Sequence, residues 1–198
     1  SSDLYTSSVT DSARILLQDN DLYLLHRGSD RVYHYVMNDV GDALEAVGTD
    51  PVLIQKGQVY DGTAAAELVD MAWISEGGLR GTSVFAVLDR AGTLFTFDDA
   101  LGVTALPVAN SQNWRQPEAM AAYYGNLYVL DTLLGSLLKY EPIDDAYTRA
   151  PTAYISDSLG ADLTGAVDMA VDGSMYILFA DGPIDKYYNG TQPTLTSL

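Results

Sequence analysis

Leu127-Tyr128-Val129-Leu130, a short turn, then Leu137-Leu138-Lys139-Tyr140: this stretch decides the fold, because the chain writes it four times. The first element recurs as Leu22-Tyr23-Leu24-Leu25, Phe85-Ala86-Val87-Leu88 and Met175-Tyr176-Ile177-Leu178. The second recurs as Val32-Tyr33-His34-Tyr35, Leu94-Phe95-Thr96-Phe97 and Ile184-Asp185-Lys186-Tyr187, each ending in an aromatic residue. Short apolar runs rich in β-branched and aromatic residues, broken every few residues by turns, read as strands and not as helices.

Aligned on His26, Asp89, Asp131 and Phe179, the copies step by 63, 42 and 48 residues. Propeller blades of four strands run to about 40–50 residues, so the repeat predicts an all-β β-propeller of four antiparallel blades, near 12–60, 61–109, 110–156 and 157–198. The long first step places an insertion in Asn38–Gly62. Inner strands are expected at Ala13–Gln18, Leu68–Ile74, Ala119–Tyr123 and Ala166–Val171. Outer strands are expected at Pro51–Gln55, Val103–Val108, Ala150–Ile155 and Pro193–Leu198. Leu4–Val9 reads as an outer strand of a preceding blade or as a strand that closes a ring. Gly28, Gly92, Gly135 and Gly182 fall in the turn between second and third strands, where a hairpin can need positive φ. The aromatic column Tyr35, Phe97, Tyr140 and Tyr187 is expected to pack between adjacent sheets.

Ten basic residues oppose 27 acidic ones, a formal charge of −17. Such a field repels phosphate backbones and argues against nucleic acid as a partner. The absence of Cys removes disulfides and thiolate chemistry. No apolar run is long enough to span a bilayer. The chain begins Ser1-Ser2-Asp3 without Met, which reads as an excised or processed piece.

The phrases Tyr124–Asp131, Leu138-Lys139-Tyr140 and Val167–Gly173 running on through Met175–Gly182 resemble bacterial six-bladed propellers of the TolB/NHL-like type. More narrowly, they are similar to the propeller region of proteins that also carry a 2C-type metal-dependent protein phosphatase domain. The resemblance covers most of residues 12–190 and implies a sensory or binding module of a signalling protein, with an extracytoplasmic setting favoured. The clustered aspartate motifs of the phosphatase itself are absent. A six-bladed ring needs two more blades than the sequence shows, so four blades are either a fragment, a ring completed by blades from another chain, or a small closed ring.

Loops that converge on one face of a propeller are its common ligand site. The richest is Asn110–Gln116, where Gln112, Asn113, Trp114 and Arg115 offer amides, an aromatic plane and a guanidinium, with Arg27, Arg31, Arg90 and Asp162 expected as neighbours. The competing reading makes Trp114 a plug between blades. Asp70 and Asp168 lie in a repeated Val-Asp-Met-Ala tetrad on inner strands, where oxygen ligands could hold Ca2+. Their counterparts are read as Ile15 and Met120. Against this stands the simpler role of accepting backbone N–H bonds. His26 and His34 read as ordinary, partly exposed residues. Three functions follow: a non-catalytic module binding a protein or small-molecule ligand through one face, a calcium-assisted hydrolase or lactonase, and an assembly module that self-associates through exposed blade edges.

Overall fold

The structure, a computed structural model, describes residues 12–74 and 83–196. Leu4–Val9 and the final two residues of the expected strand Pro193–Leu198 lie outside them. The chain divides into two compact units, with the boundary between Leu68 and Val69.

The fold is all-β, with four propeller blades. Blade 1 contains β1 (Ser12–Gln18), β2 (Asp21–His26), β3 (Arg31–Met37), β4 (Leu44–Ala46) and β5 (Val52–Gln55). A two-stranded hairpin follows, β6 (Val59–Tyr60) with β7 (Thr63–Ala64). Blade 2 is β8 (Leu68–Ile74), β9 (Val84–Asp89), β10 (Thr93–Asp98) and β11 (Gly102–Pro107). Blade 3 is β12 (Pro117–Tyr123), β13 (Asn126–Asp131), β14 (Ser136–Tyr140) and β15 (Thr152–Ala153). Blade 4 is β16 (Ala166–Val171), β17 (Met175–Phe179), β18 (Ile184–Tyr188) and β19 (Thr191–Thr196). Neighbouring strands pair in sequence order, as the repeat requires. The described residues thus form four blades where the resemblance implies six.

Several boundaries differ from the sequence reading, each for a local reason. The outer position of blade 1 is shared: β5 pairs with the start of β3, at Arg31–Tyr33, and β4 with its end, at Tyr35–Met37. The expected insertion therefore supplies a strand of its own. Pro51 donates nothing to the ladder, but its carbonyl accepts from the His34 amide at 2.7 Å. In blade 3 the outer strand is only two residues long. Before it, the chain turns back at Asp144-Asp145, both left-handed, with the Ile143 amide bonded to the Ala146 carbonyl. After it, Ile155 and Ser156 leave the sheet.

Of the four turn glycines, Gly92, Gly135 and Gly182 have positive φ. Gly28 does not. It lies in a 3-10 turn, Arg27–Ser29, and Asp30 takes the left-handed position at φ 49°. At Gly92 space matters too, because any Cβ would collide with the Ser111 side chain. The turn of blade 2 and the loop leading into blade 3 are pressed together there.

A bulge recurs near the start of the inner strand. Register shifts fall between Ser12 and Arg14, between Pro117 and Ala119, and between Ala166 and Asp168. Past the bulge, Arg14 opposes Leu25, Ala119 opposes Leu130, and Asp168 opposes Leu178. The counterparts of Asp168 are therefore Arg14 and Ala119, one residue earlier than Ile15 and Met120. The bulge is common to all three blades; the offset comes from the turn after the inner strand, where Val171 and Met175 pair across a shorter connection than their counterparts Ala122 and Leu127.

The unit from Val69 onward is built around one apolar cluster that includes Leu88, Leu94, Met120, Val129, Leu130, Tyr140, Met169 and Tyr187. In the 1–68 unit Tyr23, Leu25, Val32 and Ile54 are buried. Tyr140 and Tyr187 of the aromatic column are fully buried, whereas Tyr35 and Phe97 are half-buried.

Candidate functional site

The loop between blades 2 and 3 is held by one carboxylate. Asp131, at the end of β13, has no exposed surface. Its Oδ2 accepts from the Arg115 amide at 2.7 Å, and its Oδ1 accepts from the amides of Gln116 at 3.0 Å and Leu134 at 2.9 Å. The Thr132 amide donates to the Gln116 carbonyl at 3.1 Å. Loop and turn are thereby joined into one rigid feature. Charge-assisted bonds of this kind are shorter and stronger than neutral ones. Blade 1 reaches the same end through a different residue. Asp30 accepts from the Leu68 amide at 3.1 Å and from Lys56 Nζ at 3.0 Å, tying its turn to the segment that enters the next strand.

Ser111–Asn113 form a 3-10 turn that projects Gln112 and Asn113 into solvent. Trp114 turns the other way. Its indole N–H donates to Tyr140 Oη at 2.9 Å, and the two rings meet edge to face at 6.3 Å and 78°. Trp114 is half-buried against the apolar cluster. Burial pushes the Tyr140 hydroxyl up to about 12, an effect the Trp114 bond partly offsets. Arg115 and Gln116 are exposed. Arg90 reaches across from the blade 2 turn, and its Nη1 donates to the Pro117 carbonyl at 3.2 Å. Arg90 is thereby tied to the segment that carries Gln112, Asn113 and Arg115.

On the other side of the blade 3 turn, a cavity of about 160 Å³ is lined by Gly135, Ser136, Leu137, Ile155, Ser156, Gly160, Ala161 and Leu163. Leu133 and Leu134, at the tip of that turn, are exposed. Asp162 lies between Ala161 and Leu163 in the loop before β16 that lines this cavity, exposed. Its carboxyl is held below the ordinary range first by the Thr164 amide and then by the Thr164 hydroxyl. A larger hollow of about 250 Å³ lies in the 1–68 unit, lined by Met37, Gly41, Asp42, Ala43 and Leu44. It contains none of the residues singled out from the sequence. Arg31, also in that unit, is exposed at the start of β3, and Arg27 is half-buried in the turn before it.

Asp70 is buried, and both of its oxygens receive amide donors. Oδ1 accepts from Met71 and Oδ2 from Met120, each at 2.8 Å. The second bond joins the inner strands of blades 2 and 3. Asp168 Oδ1 accepts from the Met169 amide at 2.7 Å. Among the described residues no group of three or more His, Asp or Glu side chains is placed to hold a metal ion. His34 departs from the sequence reading. It is buried, stacked on Tyr23 at 4.4 Å, with Nε2 2.6 Å from Asp21 Oδ1. On the neighbouring strand, His26 Nδ1 accepts from the Ser29 amide at 3.1 Å. The two imidazoles serve separate local bonds.

Sequence reasoning named Asp131 as an alignment marker and gave it no role. The available signal was the recurrence of Asp at 89 and 131, at the end of a second strand. Asp89 is likewise buried, and its Oδ1 accepts from the Thr93 amide at 2.8 Å.

No protein-family model matches the chain, and no curated protein does. Among solved structures it is similar to virginiamycin B lyase from Staphylococcus aureus, in a catalytically inactive form with quinupristin. That likeness has a TM-score of 0.53 at 7% identity over 98% of this chain and 58% of that one. It is similar to a 6-phosphogluconolactonase-like protein from Bacteroides uniformis, with a TM-score of 0.54 at 12% identity over 92% and 54%. It is also similar to YCF48 bound to D1 peptide, with a TM-score of 0.52 at 12% identity over 93% and 52%. These likenesses show a β-propeller fold. The chain spans about half the length of the solved structures it matches. No helix among the described residues is long and apolar enough to cross a membrane.

Proposed function

We propose that the chain is a non-catalytic binding module that recognises an acidic peptide segment of a partner protein. The recognition surface is the 111–116 loop together with the blade 3 turn. The observation that carries this reading is the Asp131 clamp. Three backbone amides from two separate segments are fixed on one buried carboxylate, and Gln112, Asn113, Arg115 and Leu133 are left presented to solvent. Rigid presentation of adaptable polar groups lowers the ordering cost of binding. Arg90 and Arg115 concentrate positive charge in a chain of net −17, which favours an acidic segment, and exposed Leu133 and Leu134 supply apolar contact. In this reading Trp114 positions the loop from behind. The resemblance to phosphatase-linked bacterial propellers accords with a sensory module, and a propeller of the same fold is known bound to a peptide.

The test is selection from a displayed peptide library, followed by titration of the best acidic peptide against single variants. Arg115→Ala and Leu133→Ser are each expected to weaken binding by about tenfold, roughly 1.4 kcal/mol. Tyr124→Ser, in the turn between β12 and β13, is expected to leave it unchanged. Peptides whose affinity ignores Arg115 and Leu133 would refute the placement.

A further inference from the structure

The strands of each blade have two faces, and the repeat gives each face a direction. In blade 4, Met169, Met175 and Ile177 are buried in the cluster shared with blade 3, so they face the preceding blade. The alternate column, Asp168, Ala170, Tyr176 and Leu178, faces away from it. The matching residues of blade 3 are Ala119, Ala121, Tyr128 and Leu130, at 1%, 8%, 5% and 0% exposure. Blade 4 leaves the same column open: Leu178 is 37% exposed, Ala170 is exposed and Tyr176 is half-buried.

Blade 1 is open on the opposite column. Ile15 and Leu17 are 61% and 62% exposed, and Leu22 and Leu24 are half-buried. The counterparts of Ile15, Leu22 and Leu24 are Met120, Leu127 and Val129 in blade 3, at 1%, 0% and 0%, and Met169, Met175 and Ile177 in blade 4, at 3%, 0% and 0%; those of Leu17, Ala122 and Val171, are half-buried. One terminal blade thus exposes the face that a following blade covers. The other exposes the face that a preceding blade covers.

We infer that the open face of blade 4 docks on the open face of blade 1 of a second copy, head to tail, so that two copies close one propeller. Three observations converge on that occupant. The two faces are the two halves of the contact that blades 3 and 4 already make within the chain. Their columns, Ile15, Leu17, Leu22 and Leu24 on one side and Ala170, Tyr176 and Leu178 on the other, are apolar apart from Asp168, and the matching carboxylate of the repeated tetrad, Asp70, accepts the Met120 amide of the blade that follows it. The three solved structures described above are nearly twice as long, about the length two copies supply. A head-to-tail contact of this kind is heterologous and ends only when the rotation closes. The peptide-binding surface is not part of this contact, so either proposal can fail alone.

The test exploits that polarity. Leu178→Asp spoils only the blade 4 face, and Ile15→Asp only the blade 1 face. Both residues are exposed in the single copy, so a circular dichroism melt should show each variant folded. Light scattering is expected to give the unaltered chain twice its 21.4 kDa mass and each variant alone the single mass. The two variants mixed are expected to recover a two-copy species, because one intact contact remains between them. The idea falls if the unaltered chain stays at the single mass, which would leave these faces to further blades of a longer polypeptide. It also falls if either variant alone keeps the double mass, or if the mixture stays at the single mass while the unaltered chain is double.

Discussion

Blades 3 and 4 are written in nearly the same residues and live in different surroundings. Tyr128-Val129-Leu130 and Tyr176-Ile177-Leu178 share size, polarity and register, yet the first is buried on both faces and the second on one. The difference lies in the neighbours. An interior blade is packed from both sides, and a terminal blade from one. A repeat protein is stabilised by these contacts between units, so identical residues differ in worth according to position along the array.

That contrast can be broken most forcefully at the buried rings. Tyr140→Ala removes a fully buried aromatic together with the acceptor of the Trp114 indole, and denaturant unfolding is expected to show a loss of about 3–5 kcal/mol. The sharper form compares matched leucines. Leu130→Ala should cost about 2–5 kcal/mol, whereas Leu178→Ala, measured where the chain is a single copy, should cost less than about 1 kcal/mol. Equal costs would erase the distinction between interior and terminal blades. Asp131→Ala leaves three amides without their acceptor and is expected to cost about 1–3 kcal/mol. Amide exchange should speed up at Arg115, Gln116 and Leu134 and stay unchanged in β17.

Alkaline pH probes the same cores through their phenols. Burial raises Tyr140 and Tyr187 from the ordinary 10.0 to about 12, Tyr187 with help from the Asp185 charge, and burial pushes Tyr147 up as well. The unfolded chain loses these protons from about pH 10, and the folded chain holds them until about pH 12. The stability they contribute is therefore complete below pH 10 and is lost as pH rises through that window. Phenolate absorbance should show a late, cooperative group of tyrosines titrating as the protein unfolds. Tyr147→Phe should narrow the late step. The smallest stability effect is expected at Arg115→Ala, within about 0.5 kcal/mol, because its side chain is solvent-exposed and only its amide is held.

The blades were legible because their signal is local. Alternating apolar residues and turn glycines announce a strand pair wherever they stand, and β2, β9, β13 and β17 all extend the runs read from the sequence by a residue or two at most at either end. What escaped depends on partners distant in sequence. Asp131 clamps amides 15 and 16 residues before it, a relation no periodicity encodes. The shorter turn between β16 and β17 displaced the counterparts of Asp168 by one residue, since a count back from the second strand assumes turns of equal length. The split outer strand of blade 1 looked like a plain insertion because β4 is only three residues long. His34 reads as partly exposed because nothing adjacent in the sequence shows that it stacks on Tyr23 and bonds Asp21. In the candidate site, the exposed polar residues could be read directly. The inward turn of Trp114 accords with the plug reading, but its hydrogen-bond partner, Tyr140, lies in the next strand pair and could not be named from the sequence.

The central claim is that the terminal faces are unfinished blade contacts, completed by a second copy. Sedimentation equilibrium of the unaltered chain over a wide concentration range, repeated at higher salt, tests it most directly. The account predicts a species of twice 21.4 kDa whose dissociation constant falls as salt screens the −17 charge. A single 21.4 kDa species at every concentration and salt would contradict it.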